Sequence, residues 1–223
     1  MFPFLRGILL TLLIFAPSCT RIYYEAMEKI GKEKRDILAS RIAEGKKDQE
    51  KAKQQFQTTL EAFQAVTGFQ GGNLERTYKK LNGEFENAEA RANDVRNQIK
   101  SIEQVSKDMF REWGSEIDGM GNAALRNRSR GMLRDSQKRY GVLIQKMRDS
   151  QRRMEPVLKA FRDQVLFLKH NLNARAISSL KGTAAQLDLQ VSDLVKDLDL
   201  SIQEADSFIQ SLQKPPDSKE SSE

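Results

Sequence analysis

PVLKAFRDQVLFLKHNLNARAISSL, residues 156–180, is a dense apolar run, and a ladder of apolar residues carries on from it to Leu212. Ile177, Leu180, Ala184, Leu187, Val191, Leu194, Leu198, Ile202, Ala205, Ile209 and Leu212 recur at steps of three and four, with one extra step of four at Leu198. This spacing predicts a helix carrying a coiled-coil stripe with a single stutter. Ordering a backbone costs about 1–2 kcal/mol per residue, so such a stripe is stable only against partner helices. The rest of the chain supplies them.

The chain has 223 residues, 30% charged and 39% hydrophobic, with five prolines and 7% aromatics. That is the composition of a long-helix protein, and no apolar run is long enough to cross a bilayer. Cys19 is the sole cysteine, which excludes an intrachain disulfide. With a single histidine beside it, a zinc or iron–sulfur site built by the protein alone is not expected, nor is any other cofactor.

Residues 1–18 read as a lipoprotein signal peptide, with Arg6 in a short basic region and an apolar run from Ile8 to Phe15. The run ends in Ala16-Pro17-Ser18-Cys19, which resembles a bacterial lipobox. The alternative is an ordinary cleaved signal beside an incidental cysteine. Lipidation of Cys19 is favoured, because the sole cysteine stands where that modification needs it. Several acyl chains anchor stably where one does not. Thr20, not aspartate, follows the cysteine, so the outer membrane is favoured over the inner, with the protein facing the periplasm.

From Arg21 to about Thr67 the pattern is helical, with an almost wholly polar middle, Ala43 to Lys53, that reads as solvated or loosely packed. Gly68, Gly71 and Gly72 break it, and Asn73 stands ready to cap a second helix. That helix has the cleanest repeat: Leu74, Tyr78, Leu81, Phe85, Ala88, Ala92, Val95, Ile99 and Ile102 alternate steps of four and three. Gly119 and Gly121 end it. A third helix runs from about Asn122 to Lys169 on Leu125, Met132, Tyr140, Leu143, Met147, Met154, Leu158, Phe161, Val165 and Leu168. Pro156 should kink or interrupt it. The region Asn171–Asn173 breaks the chain again before the ladder begins. After Leu212 the tail is led by prolines and polar, and residues 214–223 are read as disordered. The expected fold is therefore all-α: one elongated domain over 19–213, an antiparallel bundle of about four long helices forming coiled-coil hairpins.

The strings KRDIL (34–38), GGNLE (71–75), REW (111–113) and PVLKAFRDQVLFLKHNLNARAI (156–177) resemble a family of bacterial lipoproteins, Domain of Unknown Function 2959. The resemblance spans nearly all of the mature chain. It implies a helical envelope protein without an assigned activity, and so brings no catalytic residues.

The residues themselves offer little chemistry. Gly119-Met120-Gly121-Asn122-Ala123-Ala124 formally fits a dinucleotide-binding pattern, but it follows a helix and not a strand. The carboxylates form no Glu-x-x-His pair of the di-iron bundles, and nucleophile-elbow and P-loop patterns are absent. Lys169, His170, Asn171 and Asn173 form a polar hinge cluster. They read first as groups satisfying helix ends, and secondarily as a proton-transfer or ligand site. No enzymatic activity is expected.

Between Arg126 and Arg153 ten basic residues stand against Asp135 and Asp149, a net charge of +8. Arg126, Arg128, Arg130, Arg134, Lys138 and Arg139 are candidates for holding an anionic partner such as lipid, lipopolysaccharide or nucleic acid. Nucleic acid is disfavoured by the export signal. The competing reading is neutralisation within the bundle. Folding the third helix back about residue 121 sets Arg126, Arg130 and Arg134 against Glu116, Glu112 and Asp108. Folding the fourth back about residue 172 sets Asp188, Asp193, Asp197, Glu204 and Asp206 against Lys138–Arg153. These features describe a lipid-anchored envelope scaffold or adaptor that works through contacts with other envelope proteins or by self-association. The alternative is a binder of anionic envelope polymer or lipid through the basic helix.

Overall fold

The computed structural model describes the backbone of residues 19–213 and the side chains of residues 34–213. The expected signal peptide and C-terminal tail lie outside the described residues. Five helices follow in order: α1 Cys19–Thr67, α2 Leu74–Asp118, α3 Ala123–His170, α4 Ala174–Ser179 and α5 Lys181–Gln213. The four long ones form an antiparallel four-cornered bundle, each packing on two neighbours: α1 on α2 and α5, α3 on α2 and α5. At 1.5 Å per residue α2 alone is about 68 Å long.

The helix starts follow from local chemistry. Asn73 and Asn122 adopt extended backbone at the N-caps of α2 and α3, and their side-chain oxygens accept from backbone N–H groups of the first turn. At the α1–α2 turn, Gly71 and Gly72 have φ of 154° and 106°, which L side chains rarely adopt. The apolar ladders meet at the axis, where Leu38, Ile42, Phe56, Phe63, Leu81, Ile102, Leu143, Met147, Met154, Phe161, Leu194 and Leu198 are fully buried. Edge-to-face rings tie the corners together: Phe63 with Phe161 at 6.3 Å, and Phe110 with Tyr140 and Tyr140 with Phe208 at 5.5 and 6.0 Å.

Four expectations from the sequence are corrected. The polar middle of α1 is neither solvated nor loose. Gly45, Gln49 and Ala52 are buried, and a Cβ on Gly45 would stand 2.9 Å from Ile102 Cδ1 and 3.1 Å from Met147 Cε. Glycine there lets the helices approach closely. Second, of the kink or interruption expected at Pro156 the interruption is absent, since α3 runs unbroken from Ala123 to His170. The proline lies on an exposed position, where the Arg152 carbonyl that loses its helical partner can be hydrated. Third, the last ladder is split at Leu180, whose N–H turns back to the Ile177 carbonyl at 3.1 Å, a tighter step that separates α4 from α5. Fourth, Leu125 is 59% exposed, so the core face of α3 begins after it.

The stutter at Leu198 also disappears. The buried stripe of α5 runs Leu187, Val191, Leu194, Leu198, Ser201, Ala205, Phe208, alternating four and three throughout. Ser201 occupies a core position that an apolar-only count passes over. Gln49 on α1 and Ser150 on α3 do the same, and the three meet. Gln49 Nε2 donates to Ser150 Oγ at 3.0 Å and to Ser201 Oγ at 2.9 Å, and the Ser201 hydroxyl also lies 3.1 Å from Gln49 Oε1. Ser150 Oγ donates on to the Met147 carbonyl at 2.9 Å. One polar layer thus crosses the apolar core with its groups satisfied.

Candidate functional site

The antiparallel order brings the start of α1, the end of α2, the start of α3 and the end of α5 to one end of the bundle. Lys34 pairs with Glu112, the Arg35 guanidinium lies 4.7 Å over the Trp113 ring, and Trp113 Nε1 donates to Ser129 Oγ at 3.2 Å. Cys19, the residue expected to be lipidated, opens α1 from this same end. The basic first half of α3 therefore lies toward the end of the bundle from which α1 starts.

The ten basic residues of 126–153 divide into two groups. Arg126 donates to the Met120 carbonyl at 2.8 Å, and Arg130 pairs with Asp118 at 2.8 Å. Arg148 meets Glu103 at 2.7 Å, while Arg152 and Arg153 pair with Asp149 and Asp197. Arg128, Arg134, Lys138, Arg139 and Lys146 are exposed, and no ion pair joins them to another described residue. Four of the ten thus meet a carboxylate, so intrachain neutralisation covers only part of the basic stretch.

The expected partners also change. Reflection about residue 121 sets Arg139 across from Glu103, and the structure puts Arg148 there, nine residues further along α3. The chain does not double back at a single residue. α3 begins past the end of α2, so that Asp118, the last residue of α2, pairs with Arg130. Arg126, Arg130 and Arg134 thus do not meet Glu116, Glu112 and Asp108. Glu112 goes to Lys34, and Asp108 accepts from Gln104 at 2.9 Å and pairs with Arg111 at 2.8 Å. Burial pushes the Glu116 carboxyl above its ordinary value, opposed by Arg35 and Lys34.

The acidic α5 is likewise shared between two neighbours. Asp206 and Asp199 pair with Lys46 and Lys53 of α1 at 2.8 and 2.6 Å, and Asp193 pairs within its own helix with Lys196. Asp188 accepts from Gln64 of α1 at 3.4 Å. Only Asp197 is paired in the expected stretch of α3, with Arg153. Closing the bundle sets α1 beside α5, so α1 takes acids that hairpin pairing alone would assign to α3.

At the opposite end lies the polar cluster. Asn171 closes α3, its Nδ2 donating to the Phe167 carbonyl at 3.0 Å, while Asn173 Oδ1 accepts from the N–H groups of Arg175 and Ala176 at 3.1 and 3.0 Å. Lys169 and His170 are exposed in the last turn of α3, where positive charge complements the helix dipole. Between α3 and α5 an open groove of about 510 Å³ is lined by Lys146, Asp149, Arg152, Arg153, Pro156, Asp197 and Leu200. No local pattern marks this groove, because its walls come from residues some fifty positions apart.

A core closed by its own side chains, with four long helices packed antiparallel around it, defines a helical-bundle protein. The chain belongs to the family described as protein of unknown function DUF2959, whose model matches residues 23–212. No curated protein matches it.

Proposed function

We propose that this protein is a non-enzymatic, lipid-anchored scaffold or adaptor of the bacterial envelope, held through Cys19 and facing the periplasm, the outer membrane favoured over the inner. The observation that carries the reading is the short apolar run that stops beside the only cysteine. A long bundle opened by that cysteine would present its helix faces to envelope proteins about 68 Å from end to end. Cys19→Ala tests it. Wild type should take up labelled acyl chains and enter the detergent phase, while the variant should remain unprocessed or soluble. Wild type found in the aqueous phase without acyl label overturns the anchor.

A second reading is favoured by one observation: Arg128, Arg134, Lys138, Arg139 and Lys146 project from α3 without a described counter-ion. That face suits an anionic envelope polymer or lipid. Binding of such a partner should fall steeply with salt.

A further inference from the structure

Arg134, Lys138, Val142 and Lys146 follow one another at every fourth residue of α3, and all four are exposed. Side chains at that spacing are neighbours on a helix surface. Arg139 lies beside them. The stripe slants toward α5 and runs into the groove at Lys146, where Leu200 forms the far wall. Val142 and Leu200 are 46% and 49% exposed, large apolar side chains set among cations. On α3 the acidic residues of this stretch are Asp135 and Asp149, and Asp197 of α5 also lines the groove; Asp149 and Asp197 are already paired, with Arg152 and Arg153.

Cations interleaved with protruding apolar residues are what a phospholipid surface accepts: phosphates take the charges, and the apolar side chains enter the headgroup boundary. A soluble polyanion has no use for Val142 and Leu200. The stripe also lies in the half of the bundle nearer the start of α1, and it runs along a side instead of capping the end. We propose that the α3–α5 side from Arg134 to Leu200 docks on an anionic lipid leaflet, laying the bundle along the membrane and not upright from it. This rests on the second reading above and names its partner as lipid phosphate. It does not depend on acylation.

The test uses the full chain carrying Cys19→Ser, so that no acyl anchor contributes, with vesicles of phosphatidylcholine alone or with about one third phosphatidylglycerol at moderate salt. Each basic side chain held near an anionic leaflet is worth roughly fivefold in affinity. The combined variant Arg134→Gln, Lys138→Gln, Arg139→Gln and Lys146→Gln should therefore bind anionic vesicles at least about tenfold more weakly, allowing for screening. The same number of changes at the far end, Lys80→Gln, Lys169→Gln, Arg175→Gln and Lys181→Gln, should leave binding within about twofold, since these residues lie beyond the reach of the docked face. Val142→Ser with Leu200→Ser should weaken vesicle binding while leaving its salt dependence unchanged. Circular dichroism melting of each variant separates loss of binding from loss of fold. Equal binding to neutral and anionic vesicles, or equal losses from the two quartets, overturns the proposal. Tight binding of soluble polyphosphate without binding of anionic vesicles also overturns it, and leaves the polymer half of the second reading standing.

Discussion

Gln49 has no solvent exposure, and its amide nitrogen is bonded to two serine hydroxyls from different helices. An amide buried in hydrocarbon without partners costs about 1–3 kcal/mol, so each of these contacts restores what burial takes away. Gln49→Leu should lower stability by roughly 1–3 kcal/mol, because Ser201 then loses its described partner. Adding Ser150→Ala and Ser201→Ala should recover much of that loss, since removing every polar member leaves nothing unsatisfied. Thermal unfolding of the single and triple variants checks it, and a triple variant less stable than the single one contradicts it. Glu116 offers a second residue-level prediction. Its carboxyl is raised above the ordinary 4.5 by burial, so over the pH range just above that value the folded chain holds more protons than the unfolded one. Its contribution to stability therefore falls as pH rises through that window. Relative to wild type, Glu116→Gln should become progressively more stable as pH is raised through it, a gain read as the difference between melting temperatures. A difference that stays flat or shrinks with rising pH contradicts the assignment.

At the scale of the helix, the apolar ladder of α2 was legible from Leu81 onward, because Leu81, Phe85, Ala88, Ala92, Val95, Ile99 and Ile102 are all buried as their spacing requires, while Leu74 and Tyr78 at its start are half-buried. α1 was read less well for a physical reason. Its buried face runs Leu38, Ile42, Gly45, Gln49, Ala52, Phe56, Thr59, Phe63, Val66, an unbroken alternation of four and three whose middle members are not large apolar residues. Periodicity of position persists where hydrophobicity lapses, and Ser201 in α5 shows the same. Inter-helix register was not legible, since it depends on where each helix overhangs its neighbour. Arg148 with Glu103, Arg96 with Glu155 and Arg162 with Glu89 now fix it between α2 and α3. Exposed pairs of this kind contribute about 0.2–1 kcal/mol each. Glu103→Arg should lower the melting temperature by about 1–4 °C, and adding Arg148→Glu should restore most of it. Strictly additive losses in the double variant contradict this register.

For the whole molecule the question is how far the four corners depend on one another. α5 touches both α1 and α3, and buries Leu187, Val191, Leu194, Leu198, Ala205 and Phe208 between them. Burying a large apolar side chain is worth about 1.5–3 kcal/mol, so the five large ones contribute roughly 10 kcal/mol. That matches the entire stability of an ordinary domain, about 5–15 kcal/mol. Three helices alone would also leave the Ser150–Gln49 layer open on the side of Ser201. A chain ending at Leu180 should therefore lose its cooperative melting transition and bind a hydrophobic dye. A peptide spanning residues 174–213, added in trans, should restore the transition, because it brings back both the apolar stripe and the acids that meet Lys46, Lys53 and Arg153. Its association rate should fall as salt is raised, since α5 from Ala184 to Gln213 carries one basic and six acidic residues toward a basic partner. A truncated chain that melts cooperatively at the wild-type temperature would mean that α1, α2 and α3 form a self-sufficient core with α5 as an accessory strut.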